Sequence, residues 1–284
     1  GNSIAKLHVQ IYKEEQQLLK QWSKEVAKNF ISLDHISKTI LKLDLALTRA
    51  RYGAFIGGVP PCLTEKKDAP FRLRELRHPL LIWKEHFNNG EAVIPISIEV
   101  SSQLRVISIT GPNTGGKTVT LKSLGLAVLM ARAGLLLPCS KNASLPWCDQ
   151  VLADIGDEQS LQQSLSTFSG HLRRVNNILD ALKVSVGPVV VLLDEIGAGT
   201  DPSEGTALAI ALLKTLADRA RLTIATTHFG ELKTLKYNDI RFENASVAFD
   251  SETITPTYHL QWGIPGRSNA IAIARRLGLE NTLI

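Results

Sequence analysis

Apolar residues in the first fifty positions recur at helical spacing. Ile4, Leu7, Ile11, Leu18, Leu19, Trp22, Val26 and Phe30 stand mostly three, four or seven apart, which predicts an amphipathic helix. A second run follows on Ile36, Ile40, Leu43 and Leu47, with Ser32 or Asp34 as its expected cap. Gly53 is the first helix breaker, and the break is expected there. Two such helices ahead of a folded domain suit a lever or a dimer arm; equally, they suit a pair packed on that domain's core. Gly57, Gly58, Pro60 and Pro61 then interrupt any regular element, and residues 65–68 form a charged cluster. Residues 1–70 therefore read as a helical segment with a connector, and 71–284 as the main domain.

The pattern changes after residue 71. Short apolar runs alternate with helical ones: strands at 105–110, 151–155, 189–193 and 222–226, helices at 117–133, 168–182 and 203–218. Continuous apolar strands separated by helices predict a buried, mostly parallel sheet in an α/β fold. Residues 242–249 and 254–260 read as an antiparallel pair. A last helix is expected at 269–277, stopped by Gly278.

Composition narrows this little. Hydrophobic residues make up 44% of the 284, as in ordinary globular chains. A formal charge of +5 is compatible with a polyanionic partner and does not require one. Cys62, Cys139 and Cys148 form no Cys-x-x-Cys pair, so there is no zinc motif, and three scattered cysteines suit a reducing, cytoplasmic setting or a eukaryotic organelle. No stretch reads as a membrane span or a signal peptide, so no membrane partner is expected. The chain begins without Met and runs straight into a helical pattern, as a fragment of a longer protein does. Residues 1–60 carry nine basic and five acidic side chains, a balance of +4. Lys6, Lys13, Lys20 and Lys24 are spaced to lie along one side of a helix, either as a track for a phosphate backbone or as a plain solvated face.

The chemistry lies in the main domain. Gly111, Pro112, Asn113, Thr114, Gly115, Gly116, Lys117 and Thr118 satisfy G-x-x-x-x-G-K-[ST] between a strand and a helix, the context a phosphate-binding loop requires. Its N–H groups and the helix N-terminus favour phosphate, Lys117 suits the β- and γ-phosphates of ATP, and Thr118 suits Mg²⁺. Five apolar residues at 189–193 then deliver Asp194 and Glu195 to a strand's C-terminal end, where open α/β sheets bind ligands. Asp194 suits Mg²⁺, and Glu195 suits the attacking water. His228 ends another strand, as a structural residue or as a contact to the γ-phosphate or the water. Ser166 and Thr167 precede a helix, as its cap or as donors to a phosphate from a second subunit. Thr200 and Asp201 lie in a glycine-rich loop, where Asp201 caps the next helix and the loop itself suits exchange across a dimer.

These pieces in this order resemble the ATPase domain of the MutS family, an ABC-type ATPase fold, and its type-2 branch in particular. The resemblance rests on Arg77-His78-Pro79, residues 111–118, the run Asp154-Ile155-Gly156-Asp157-Glu158-Gln159-Ser160, residues 164–168, 194–202 and 226–228, and Pro265-Gly266-Arg267-Ser268-Asn269-Ala270. It covers 71–279 closely and 1–70 less specifically, where residues 43–50 look like the end of the family's helical core and lever. It implies a homodimer with a composite ATP site, in which Asn113 lies near the phosphates, Ser166 reaches the other subunit's γ-phosphate and His228 is the switch histidine. Mismatch-repair relatives stack an aromatic residue on adenine ahead of the phosphate loop. This chain has Val93 and Ile94 there, so adenine is expected on aliphatic side chains, with Tyr258 or His259 toward its other face.

The resemblance further implies branched DNA, as in recombination intermediates, or a stalled ribosome as the partner, and a C-terminal nuclease domain outside residues 1–284. Two other readings stand beside it. A transporter ATPase subunit should carry Leu-Ser-Gly-Gly-Gln, where this chain has Ser-Thr-Phe-Ser-Gly at 166–170. An interaction protein stabilised by nucleotide should show no turnover.

Overall fold

The computed structural model describes residues 2–88, 90, 92–111, 116–156, 164–250 and 255–264, without the side chains of 164–167, 249, 250, 255 and 256. The chain divides into two compact units between Arg51 and Tyr52. The first consists of helix α1 (Asn2–Lys28) and most of α2 (Phe30–Phe55). Only Asn29 interrupts them, and its N–H still donates to the Val26 carbonyl at 3.1 Å. Helix α2 therefore begins ahead of Ser32 and Asp34, and neither caps it. It also runs through Gly53, where a break was expected. One glycine inside a helix costs about 1 kcal/mol, and the adjoining Tyr52, Phe55 and Ile56 pack on the core of the second unit, which outweighs it. No residue of α1 is buried, and Leu7, Ile11, Leu18 and Trp22 remain exposed.

The second unit adds, in chain order, β1 (Cys62–Thr64), β2 (Phe71–Leu76), α3 (Pro79–Phe87), β3 (Ile96–Val100), β4 (Val106–Thr110), α4 (Lys117–Arg132), β5 (Ser144–Pro146), β6 (Gln150–Asp154), α5 (Ser164–Val184), β7 (Val189–Leu193), α6 (Pro202–Arg219), β8 (Leu222–Thr226), α7 (Leu235–Asn238), β9 (Phe242–Asp250) and β10 (Thr255–Trp262). A six-stranded sheet has the order β10-β9-β4-β8-β7-β6, parallel throughout except for the β9–β10 pair. The mostly parallel α/β sheet expected from the sequence is present. The helix expected at 269–277 lies outside the described residues.

A four-stranded sheet, β1-β5-β2-β3, comes in addition. Cys62–Thr64 pairs in parallel with Ser144–Pro146, so part of the stretch that reads as a connector is built into a sheet.

Strand alternation explains why the central strands are apolar throughout. Ile107, Ile109, Val190, Leu192, Leu222 and Ile224 face one core together with Leu121, Leu124 and Val128 of α4 and the inner side of the small sheet. Val189, Val191, Leu193 and Ala225 face the other, against Ile178 and Leu182 of α5 and Leu213 and Leu216 of α6. Both faces of the sheet are covered, as parallel sheets require. Cys139 and Cys148 are buried, which pushes their thiols up to about 11 and about 12, so neither is a nucleophile at neutral pH. No described helix is long and apolar enough to cross a membrane.

Arg221 is a buried cation at the junction of the two sheets, only 4% exposed. Its Nη1 donates to the Leu104 carbonyl (2.9 Å) and its Nη2 to those of Ala69 (2.8 Å) and Ser101 (3.2 Å), while the guanidinium lies 5.3 Å over the Phe71 ring. Burial, with Arg105 adding to it, pulls its pKa down to about 10 against the opposing charge of Asp68. Arg221→Ala leaves those carbonyls without their donor, at about 1–3 kcal/mol each before relaxation. We expect a loss of about 3 kcal/mol, read from the urea midpoint; a shift within the scatter of surface mutations would refute this role.

Candidate active site

The sheet brings several of the candidate side chains together at the C-terminal ends of β4, β7 and β8. The chain leaves β4 at Gly111 (φ 136°) and re-enters a helix at Gly116, the N-cap of α4. Gly116 has φ 89°, a conformation that side chains disfavour. The Tyr258 ring lies against it: a Cβ there would stand 2.9 Å from Tyr258 Cδ1. Pro112, Asn113, Thr114 and Gly115 lie outside the described residues.

Lys117 is 2% exposed, and its Nζ donates to the Gly111 carbonyl at 2.7 Å, across the turn of the loop. Burial pushes its ammonium below the ordinary lysine value, while Glu195 and Asp194 pull the other way. His228 Nε2 stands 3.4 Å from Lys117 Nζ and 3.6 Å from Glu195 Oε1. The same ring nitrogen thus stands between the Lys117 ammonium and the Glu195 carboxylate.

The acidic pair is held by its neighbours. Thr118 Oγ1 donates to Asp194 Oδ2 (2.7 Å), and Thr226 Oγ1 donates to Asp194 Oδ1 (2.5 Å). The same Thr226 hydroxyl accepts from the Glu195 N–H at 2.8 Å. Glu195 takes φ 50°, an uncommon conformation for a side-chain-bearing residue, and the Ile196 N–H fixes it by donating to the Thr226 carbonyl at 3.0 Å. The sequence names Thr226 only as part of a motif. Its bridging role shows once β8 lies beside β7.

The oxygens of Thr118 and Asp194 suit a hard cation. Ligands at about 2.1 Å from an octahedral Mg²⁺ place neighbouring oxygens about 3.0 Å apart, so the pair, now hydrogen-bonded at 2.7 Å, need separate only slightly to share an ion. Among the described residues no group of three or more His, Cys, Asp or Glu side chains is arranged to hold a metal. Two oxygen donors that leave room for phosphate and water fit the way Mg²⁺ is usually held.

The remaining candidates are more dispersed. Ser166 and Thr167 lie in the first turn of α5, and their side chains are outside the described set. Asp201 caps α6, accepting from the N–H groups of Ser203 (2.9 Å) and Glu204 (3.3 Å). Bonds from the Ser203 hydroxyl and these N–H groups hold its carboxyl below the usual range. The loop carrying Thr200 is pinned where Gly197 and Gly205 meet, since a Cβ on Gly205 would stand 2.5 Å from the Gly197 carbonyl. Val93 packs on the first core, and its N–H donates to Glu85 (3.3 Å); Ile94 is exposed.

A family model described as MutS domain V matches residues 107–284. The chain is 54% identical over its whole length to a protein of Synechocystis sp. named "Endonuclease MutS2", covering 36% of that protein. It is 42% identical over its whole length to a protein of the same name from Shouchella clausii and 44% identical to one from Symbiobacterium thermophilum, covering 35% and 34% of them. The chain thus spans about a third of the length of these curated relatives.

Proposed function

The chain belongs to the MutS family, in its type-2 branch, and from that premise we propose that residues 71–284 hydrolyse ATP with Mg²⁺ as one half of a homodimer. The observation that carries this reading is the convergence, at neighbouring strand ends, of Lys117, His228 and Glu195 in one chain of contacts and of Thr118 with Asp194 beside it.

Each residue has a role that its position supports. Lys117 neutralises the β- and γ-phosphates. Thr118 and Asp194 would hold Mg²⁺, which would stabilise charge on the phosphate oxygens. Glu195 orients the attacking water and accepts its proton, and His228 bridges that carboxylate to the lysine side of the site. Tyr258, whose ring lies against Gly116, would face one side of adenine, and Val93 and Ile94 would form its aliphatic side. Ser166 and Thr167 act on the phosphate held by the other subunit, with Thr200 and Asp201 in the loop along the dimer contact. Residues 1–52 are the helical arm that hydrolysis moves, with 53–70 as its connector.

The whole protein would act on branched nucleic acid or on stalled ribosomes in the cytoplasm. The relatives are named as endonucleases, and a nuclease domain beyond residue 284 would supply that activity. Hydrolysis by the full-length protein, compared with linear DNA, branched DNA and ribosomes as stimulators, separates these partners.

Mixing variants tests the composite site. Lys117→Ala spoils one subunit's phosphate loop, and Ser166→Ala spoils what that subunit's partner contributes. A heterodimer of the two retains one intact composite site, so mixing should raise activity above that of either variant alone. Heterodimers that form and remain inactive would argue for a site contained within one subunit.

A further inference from the structure

Asp154 ends β6, beside the strand that delivers the acidic pair, and plays no part in the chemistry above. Its residue is 4% exposed, yet it carries a carboxylate. Arg174 Nε donates to Oδ1, and His171 Nδ1 lies 2.8 Å from Oδ2. Both partners come from α5, three residues apart and so on one face of the helix. The main chain of Asp154 faces the other way: its carbonyl accepts the Asp194 N–H at 2.9 Å. One residue thus holds α5 with its side chain and the acidic strand end with its backbone.

The space between those two holds gives the link a purpose. Phe168, His171 and Leu172 of α5 line a cavity of about 260 Å³ together with Asp194, Glu195 and Gly197. The cavity wall is mostly apolar, and apolar contact resists sliding and rotation weakly. A paired, buried carboxylate resists both, because its hydrogen bonds have fixed directions. Helix packing does not require a charge here, since a well-packed apolar residue often stabilises a fold as well as a buried ion pair does.

We propose that Asp154 is a positioning residue for hydrolysis: it sets the placement of α5, and so of that helix's first turn, relative to Asp194 and Glu195. The proposal rests on the ATPase reading above, which makes the first turn of α5 the donor to the opposite subunit's phosphate. Asp154 touches neither nucleotide nor metal in this arrangement. Its loss should impair the catalytic step and spare binding to the phosphate loop.

The test uses the full-length protein with Asp154→Asn, which keeps the shape and removes the charge. ATP affinity should stay within about twofold, while kcat falls about tenfold or more. In a Ser166→Ala background the same substitution should add little further loss, because both changes act through one turn of α5. Should Asp154→Asn unfold the protein, Arg174→Gln, at the more exposed end of the pair, replaces it with the same expectations. A wild-type kcat in the folded variant, equal losses in affinity and kcat, or fully additive losses with Ser166→Ala would each overturn the proposal. A wild-type protein without turnover would instead bring down the ATPase reading and this inference with it.

Discussion

Glu195→Gln should leave ATP bound and slow its hydrolysis by about 10²–10⁴-fold, the usual contribution of a positioned general base. Glutamine keeps the shape of glutamate and can still lie near a water, but it cannot take up a proton at neutral pH. The groups that hold nucleotide in the proposed site are untouched: Lys117 bonds to Gly111, and Thr118 and Thr226 bond to Asp194. The Glu195 N–H bond to Thr226 is a main-chain bond and survives the change. Equilibrium binding of a fluorescent ATP analogue, measured beside phosphate release, separates the two effects. Turnover at the wild-type rate would remove Glu195 from the mechanism.

Lys117→Ala should do the opposite and abolish measurable nucleotide binding. An ammonium bonded to phosphate oxygens contributes about 1.5–3 kcal/mol per hydrogen bond, so losing it weakens affinity about a hundredfold or more. Without ligand, the ammonium is held in a buried site, where burial favours its neutral form and Asp194 and Glu195 favour the charged one. Arriving phosphates add negative charge on the same side as those carboxylates, so binding should strengthen protonation of Lys117. The alanine protein should fold, because the helix that carries Lys117 is anchored further along by Leu121, Leu124 and Val128. Isothermal titration with ATP and Mg²⁺ reads the outcome. Affinity within threefold of wild type would show that the loop binds phosphate through its backbone alone.

Legibility in the sequence followed local pattern. Residues 189–193 read as a strand because the chain is apolar at every position, and the structure gives the reason: Val190 and Leu192 face one core, and Val189, Val191 and Leu193 the other. The phosphate loop is legible because its residues are consecutive and their spacing is dictated by a single ligand group. The small sheet was not. Strands β1 and β5 have three residues each, and in β2 the inward alternation of Phe71 and Leu73 breaks at Glu75, which takes φ 52° where the register with β3 shifts. Asp154, His171 and Arg174 are invisible as a group for another reason. A strand end and a helix face meet only in three dimensions, and no sequence spacing encodes that meeting. The same holds for Thr226, which bridges two residues of a neighbouring strand.

The backbone of Glu195 carries a consequence for how this position can change. A residue with a side chain at φ 50° is disfavoured by about 1–2 kcal/mol, and glycine or asparagine would relieve that strain. Selection for thermal stability alone would therefore drift Glu195 toward Gly or Asn and discard the proposed catalytic carboxylate on the way. In the proposed mechanism stability and turnover pull in opposite directions at this residue, so a laboratory evolution campaign that screens only for heat resistance should collect inactive proteins with Gly or Asn here.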